Sequence, residues 1–96
     1  MFSIIIPTYN NLEYLKLCLN SIKKNSHFNH EIIIHINEGI DGTLDFLKDK
    51  EYKTTYSKTN AGVCIGFNKG TSLATKKFIV LAHDDMYFCP NWDMVF

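Results

Sequence analysis

The chain has 96 residues, of which 46% are hydrophobic and 21% charged, with ten acidic and ten basic side chains and a net charge of zero. This composition indicates one small globular domain at most and argues against a disordered chain, a polybasic membrane surface and a nucleic-acid partner. The apolar runs are far shorter than the roughly 20 residues of a membrane-spanning helix, so no membrane span is expected. Three widely spaced cysteines form no zinc or disulfide pattern, and we expect reduced, mostly buried thiols in a cytoplasmic protein.

The first third of the chain predicts a strand followed by a helix. Residues 2–7 are apolar and run into a Pro-Thr-Tyr-Asn turn, which is typical of a buried strand. Apolar residues then recur at helical spacing from Leu12 to Ile22, and Asn10 or Asn11 is the expected N-cap of that helix.

The middle of the chain repeats this order. Residues 31–37 predict a second strand rich in isoleucine, and after the glycine turn that follows, Asp41 or Thr43 is expected to begin a short helix. Residues 52–57 predict a third strand, and the next helix is expected to be capped by Asn60.

The last third predicts a fourth strand at residues 77–82, which is followed directly by His-Asp-Asp. Pro90 then suits the first turn of another helix, which the chain does not complete before Phe96. The alternation of strands and helices predicts an α/β fold with a mainly parallel sheet and helices on both faces. We expect residues 1–96 to be the N-terminal part of a single domain that is incomplete at its C-terminus.

The acidic pair after the fourth strand is the first candidate for chemistry. Asp84 and Asp85 repel each other unless a cation neutralises them, and a divalent cation such as Mg²⁺ or Mn²⁺ takes one or two carboxylates and completes its shell with water and phosphate oxygens. Such a cation can shield a diphosphate leaving group. A solvated acidic turn is an equally good interpretation of the pair taken alone.

Polar residues also follow the other strands, at the sheet edge where parallel α/β proteins bind their ligands. Thr8 offers a hydroxyl, Tyr9 offers a ring that can stack on a base, and Asn37 or Glu38 could take a ribose hydroxyl or a base edge. Capping and turn formation are the simpler interpretations of these residues individually. No glycine-rich phosphate loop is present, which argues against an ATPase or a dinucleotide enzyme.

Taken together, these segments resemble the family 2 glycosyltransferases, a large inverting family with a GT-A fold. SIIIPTYNNLEYLKLCLNSI resembles the first strand and helix of that family, and EIIIHINEGIDGT resembles its second strand and turn. NAGVCIGFNKGTSLATKKFIVLAHDDMYFCP resembles its third helix, fourth strand and metal motif. The resemblance covers essentially the whole chain in the right order.

The resemblance implies a glycosyltransferase of polysaccharide biosynthesis that transfers a sugar from a nucleotide-diphosphate donor to a glycan or lipid-linked acceptor. This chain would be its nucleotide- and metal-binding half, cytoplasmic and brought to the inner face of the membrane only by segments it lacks. The implied cofactor is a divalent metal, Mn or Mg, held by Asp85 and Asp84. The implied nucleotide-binding residues are Pro7, Thr8, Tyr9, Asn37, Glu38, Gly62 and Asp84. The catalytic base is expected beyond Phe96, so the fragment alone should be inactive.

Two departures from the family pattern affect the residue that reads the nucleotide base and the motif that binds the metal. The family usually has Asp at the end of its second strand, where this chain has Ile36, with Asn37 and Glu38 beside it. The first acidic residue of the family's Asp-x-Asp motif is also absent, and Ala82 is taken to stand in its place.

A receiver-like regulatory module and a nucleotidyltransferase are the two alternatives to a glycosyltransferase. A receiver-like regulatory module that binds Mg²⁺ needs an acidic residue after an early strand and a Lys after a late one, and neither is clear here. A nucleotidyltransferase needs a glycine-rich loop with a basic residue after the first strand, and residues 7–11 provide neither.

Overall fold

A computed structural model of the chain describes residues 1–94. The strands are β1 (Phe2–Tyr9), β2 (Glu31–Asn37), β3 (Lys53–Ser57) and β4 (Phe78–Leu81). The helices are α1 (Leu12–Asn25), α2 (Thr43–Lys48) and α3 (Val63–Thr71), and a 3-10 turn covers Trp92–Met94. Within the described range, no helix is long and apolar enough to cross a membrane. The predicted alternation of strands and helices is confirmed.

The four strands form one parallel sheet in the order β3-β2-β1-β4. The central strand β1 pairs with β2 up to Tyr9, which lies opposite Asn37. On its other side β1 pairs with β4, up to Ile5 opposite Leu81. The order reverses at β1, and ligands of parallel sheets bind at the carboxyl ends of the strands beside such a reversal.

Both faces of β1 are covered by helices, as predicted. Ile4 and Ile6 are fully buried and belong to the main apolar cluster, to which α1 contributes Leu15. On the opposite face α3 lies directly on the sheet, because a Cβ atom at Gly70 would come within 2.4 Å of Ile5 Cγ2. Alternate residues of one strand therefore support two helical layers.

The helix starts agree with the prediction only in part. Asn11 occupies the N-cap position of α1 but makes no side-chain cap bond, and the Leu12 amide instead donates to Asp41 Oδ2 at 3.0 Å. The N-cap of α3 is Gly62, with φ of 87°, because this left-handed backbone favours glycine. Asn60 lies before the helix and accepts the Gly62 amide at 3.0 Å.

One further expectation is wrong. Only Cys18 is buried, whereas Cys64 and Cys89 are exposed; α3 packs on the sheet through its glycines, which leaves Cys64 in solvent. Pro90 precedes a 3-10 helix at Trp92–Met94, in which Asp93 points inwards and accepts backbone amides of the loop after α1.

Glu31 joins four segments at the amino-terminal end of the sheet. Its carboxylate accepts hydrogen bonds from the Ser3 hydroxyl and from Lys53 Nζ, both at 2.6 Å. The amide and hydroxyl of Thr75 also donate to it, at 2.8 and 2.7 Å. Burial alone would raise the pKa of Glu31, but these donors outweigh it and hold that pKa well below its usual value of 4.5.

We predict that Glu31→Gln lowers the free energy of unfolding at neutral pH by about 1–3 kcal/mol, because it leaves donors without a matched acceptor. Since the pKa of Glu31 is lower in the folded than in the unfolded chain, its stabilisation is complete above about pH 4.5 and is lost as the pH falls below that value. Urea unfolding of both proteins at several pH values measures this difference.

The matched control is Glu13→Gln, because the Glu13 side chain is 86% exposed and pairs with Lys16 at the long distance of 3.7 Å. We expect the control to change stability very little. Equal losses in the two variants, or a gap between wild type and Glu31→Gln that does not narrow in acid, would contradict the role given to Glu31.

Candidate functional site

A cleft of about 290 Å³ opens at the carboxyl ends of β1, β2 and β4, beside the start of α3. Tyr9 and Asp84 share this cleft, whereas Glu38 and Asp85 are not part of its lining. The residues that line it are Pro7, Thr8, Tyr9, Asn11, Asn37, Asn60, Gly62, Val63, His83 and Asp84.

Thr8 fixes the first carboxylate of the acidic pair. Thr8 is 2% exposed, and its Oγ1 donates to Asp84 Oδ2 at 2.8 Å. Because Thr8 lies one residue before the end of the central strand and Asp84 follows the neighbouring strand, this bond ties the acidic turn to the centre of the sheet. The Thr8 hydroxyl therefore positions Asp84, which leaves Tyr9 and the backbone to meet a ligand from this loop.

Asn37 supports the loop between β3 and α3. It is 3% exposed, and its side-chain oxygen accepts the Ala61 amide at 3.0 Å. This bond places Gly62 at the cleft. A Cβ atom at Gly62 would meet nothing within 4 Å, so its φ of 87° rather than lack of space is what favours glycine there.

Behind Asn37, a buried polar network crosses β2, β3 and α3. His35 is fully buried, with Nδ1 2.6 Å from Thr55 Oγ1 and Nε2 3.0 Å from Ser57 Oγ, and Lys69 Nζ donates to the same Ser57 oxygen at 3.3 Å. Burial and then the Lys69 cation lower the pKa of His35, and they outweigh a side-chain hydrogen bond with Asn37 that acts in the opposite direction. Sequence reasoning missed this network, although a histidine within an isoleucine-rich strand was a signal for it.

Asp41 and Asn10 join the two loops beside the cleft. Asp41 Oδ1 accepts the amide and hydroxyl of Thr43 at 3.2 and 2.6 Å, while Oδ2 accepts the Leu12 amide at 3.0 Å. In return, the Asn10 side-chain oxygen accepts the Ile40 amide at 3.0 Å. Burial would raise the pKa of Asp41, but its donors hold it below the usual value. Asp41 thus accepts hydrogen bonds from the first residue of α1 and from the first residue of α2.

Glu38 and Asp85 lie outside the lining of the cleft. Glu38 is half-buried and has a left-handed φ of 61°, and its amide donates to the Ser57 carbonyl at 2.9 Å. Asp85 is exposed in the turn after β4, next to Asp84. Glu38 directly follows Asn37 in the chain and Asp85 directly follows Asp84, and both of those preceding residues line the cleft.

The acidic turn is anchored on both sides. Before it, the Ala82 amide donates to the Ile5 carbonyl at 2.9 Å. After it, the Phe88 amide donates to Ser21 Oγ at 2.9 Å, and the Phe88 carbonyl accepts Asn25 Nδ2 at 2.7 Å. The turn is therefore held between β1 and the last turns of α1.

The position assigned to the missing acidic residue of the Asp-x-Asp motif is wrong. Ala82 is fully buried in the apolar cluster, so a carboxylate there could not reach the cleft. Counting two residues back from Asp85 leads to His83, which does line the cleft. The residue two positions before Asp85 is thus a histidine that lines the cleft.

The donors that could hold a metal are few. No group of three or more His, Cys, Asp or Glu side chains suited to a metal is found among residues 1–94. Burial, and then Asp84 and Asp85, raise the pKa of the nearby Cys18 thiol to about 12, so it stays protonated and is a poor ligand. The two carboxylates therefore fit a cation that takes its remaining oxygens from water and phosphate.

Comparison with known proteins gives one family. The family model described as Glycosyl transferase family 2 matches residues 3–94. The uncharacterized glycosyltransferase MG025 of Mycoplasma genitalium is 32% identical over 99 residues, covering 95% of this chain and 33% of its own length. The putative teichuronic acid biosynthesis glycosyltransferase TuaG of Bacillus subtilis is 28% identical over 90 residues, covering 88% of this chain and 36% of its own.

Solved structures agree with the sequence comparison. The crystal structure of S. aureus TarS 1-349 in complex with UDP-GlcNAc has a TM-score of 0.84 and 26% identity, covering 98% of this chain and 29% of that one. The complex of the same protein with UDP has a TM-score of 0.84 and 25% identity, covering 98% and 30%. The predicted GT-A-like α/β fold is therefore confirmed.

We predict that Asp41→Ala lowers the free energy of unfolding by about 1–2 kcal/mol, because the amides at the starts of two helices lose their acceptor. Hydrogen exchange of the Leu12 and Thr43 amides should become faster in the same variant. Asp49→Ala is the control, since Asp49 is an exposed residue at the other end of α2. Similar effects of the two substitutions would contradict the double capping role.

Proposed function

The chain belongs to glycosyl transferase family 2, and we propose that it forms the donor-binding part of an enzyme that transfers a sugar from a nucleoside diphosphate to a glycan or lipid-linked acceptor. The observation that carries this proposal is the cleft at the strand ends, where Tyr9, Asn37 and Asp84 meet. The chain spans about a third of the length of the curated relatives it matches, so the activity of a whole enzyme is part of the proposal.

The proposed donor is a uridine diphosphate sugar. The structures of S. aureus TarS with UDP and UDP-GlcNAc support this class of ligand. The cleft suits it chemically, because Tyr9 is 48% exposed and its ring can stack on a base. The start of α3 at Gly62 and Val63 also faces the cleft, and the positive end of a helix dipole favours phosphate.

The proposed metal is Mn²⁺ or Mg²⁺, which would bind with the diphosphate rather than alone. Asp85 would ligate it, while Asp84, oriented by Thr8, would contact the ribose or a metal-bound water. A site with one or two carboxylates is weak without substrate phosphates, because Mg²⁺ gives up its waters reluctantly. When bound, the cation offsets the charge that develops on the leaving diphosphate.

The reaction would invert the anomeric centre, with a base that deprotonates the acceptor hydroxyl. We assign that base to none of the described residues, and we expect no sugar transfer by this chain alone. The name of TuaG supports a role in a surface polysaccharide, and we propose a cytoplasmic location at the inner face of the membrane. The match to the family over residues 3–94 weighs against the receiver-like regulatory module.

We predict that UDP binds to this chain more tightly with Mn²⁺ than without it, and that Asp85→Asn abolishes this gain because the cation loses its protein ligand. Thr8→Val should weaken binding by about tenfold or less, since it removes one hydrogen bond that orients Asp84. Titration calorimetry with and without Mn²⁺ measures both effects.

Asp49→Asn is the matched control, because it removes one exposed carboxylate at the end of α2. Equal UDP affinity of wild type and Asp85→Asn with Mn²⁺ present would remove the metal role from the acidic turn. Equal affinity for UDP, ADP and GDP would contradict a uridine donor, and the absence of any nucleotide binding would contradict the site itself.

A further inference from the structure

A histidine lies within an otherwise apolar strand, directly beneath the start of α3. His35 is fully buried in β2, opposite Pro7 of β1 and Thr55 of β3. A Cβ atom at Gly66 of α3 would come within 3.1 Å of His35 Cδ2 and 3.0 Å of Pro7 Cβ, so the helix packs directly on the imidazole ring. A change in this ring therefore acts on the end of α3 that lines the cleft.

The hydrogen bonds around His35 are all satisfied when its imidazole is neutral. The Lys69 ammonium group has only donors, so Ser57 Oγ accepts from it at 3.3 Å and gives its own proton to His35 Nε2 at 3.0 Å. His35 Nδ1 then carries the ring proton and donates to Thr55 Oγ1 at 2.6 Å. A protonated ring would carry a second N–H at Nε2, which would face an oxygen that already accepts from a cation.

The surroundings of the ring oppose its protonation. Burial and then the Lys69 cation lower the pKa of His35 below its usual value of 6.5. The other residues that face the ring from β1, β3 and α3 are uncharged: Pro7, Thr55, Ser57 and Gly66. Because the packed arrangement favours the neutral ring, it becomes less stable as the pH falls below about 6.5, where a released imidazole would take up a proton.

Asn37 links the imidazole to the loop before α3. Its side chain forms a hydrogen bond with His35 that favours the charged ring, while its Oδ1 accepts the Ala61 amide at 3.0 Å. Since Ser57 Oγ already accepts from Lys69, the Asn37 oxygen is the acceptor that a second imidazole N–H would use. A proton on His35 would therefore compete with the Ala61 amide, whose bond to Asn37 places Gly62 at the cleft.

We propose, on the basis of the nucleotide binding proposed above, that His35 is a positioning residue that makes the cleft sensitive to pH. The neutral imidazole keeps the loop before α3 in place, and a proton on the imidazole releases this loop. His35 is not part of the lining of the cleft. Acid therefore weakens nucleotide binding through a group that does not touch the nucleotide.

The first test reads the loop itself and needs no nucleotide. The protection of the Ala61 amide from hydrogen exchange should fall about three- to tenfold between about pH 7.5 and about pH 5.5, because most imidazoles of ordinary pKa are charged at the lower value. The Leu12 amide is the control within the same molecule. Its acceptor, Asp41, has a pKa below the usual 3.8 and stays charged, so its protection should not change.

Two variants separate titration of His35 from a merely structural role. His35→Gln places an amide oxygen near the position of Nε2, where it can accept from Ser57 without titrating, so it should keep the Ala61 protection at both pH values. Lys69→Met should move the loss of protection to higher pH, because removal of the cation makes His35 easier to protonate. Lys24→Met removes an exposed cation of α1 and is the matched control, which should leave the transition in place.

The second test measures UDP affinity with Mn²⁺ by titration calorimetry at the same two pH values. Carboxylates and the diphosphate also titrate, so the informative quantity is the affinity of the wild type relative to that of His35→Gln. We expect this ratio to fall about three- to tenfold in acid, since both proteins share every other titrating group.

The proposal is overturned if Ala61 protection is the same at both pH values, or if it falls as much in His35→Gln as in the wild type. An unchanged affinity ratio in acid would also overturn it. If His35→Gln fails to fold, as judged by circular dichroism, the shift caused by Lys69→Met decides, and no shift overturns the proposal. If UDP binds at neither pH, the proposed function fails, whereas hydrogen exchange still decides the role of His35.

Discussion

The central strand must be buried on both faces while it pairs on both edges, and the rest of the structure depends on this constraint. Ile4 and Ile6 meet the α1 side, whereas Ile5 leaves so little room on the other side that α3 carries a glycine, Gly70, against it. The same strand carries Thr8 next to its last residue, Tyr9, and the Thr8 hydroxyl donates to Asp84. The packing of β1 thus sets the position of α3 and of the acidic turn that follows β4.

Most polar side chains around the cleft are already bonded within the protein. Thr8 holds Asp84, Asn37 holds the loop before α3, and Asp41 holds the starts of two helices. These bonds fix the shape of the cleft before any ligand arrives, which reduces the ordering cost of binding. Tyr9 is 48% exposed, and in the proposed function it is the cleft residue that stacks on the base.

The fold was readable from the sequence because apolar runs and helical spacing alternate along the whole chain, and the carboxyl ends of parallel strands must share an edge. The hydrogen bonds at the helix starts could not be predicted in the same way, because the acceptor for the Leu12 amide is Asp41, 29 residues further along the chain. The burial of Ala82 is predictable from the sequence. Ala82 and Val80 are two residues apart, so their side chains lie on the same side of the sheet, which is the side that packs against α1. The buried bonds of His35 depend on tertiary packing that spacing does not show.

Both ends of β1 carry a serine or threonine bonded to a carboxylate, and the surroundings of the two carboxylates separate structure from function. Glu31, bonded to Ser3, also receives the Lys53 cation and two donors from Thr75, so its charge is fully matched by the protein. Asp84 accepts a hydrogen bond from Thr8, but its neighbour in the chain is another carboxylate, that of Asp85. Like charges side by side are stabilised by a cation, so the proposed divalent cation would offset the negative charge at the end of the sheet that faces the cleft.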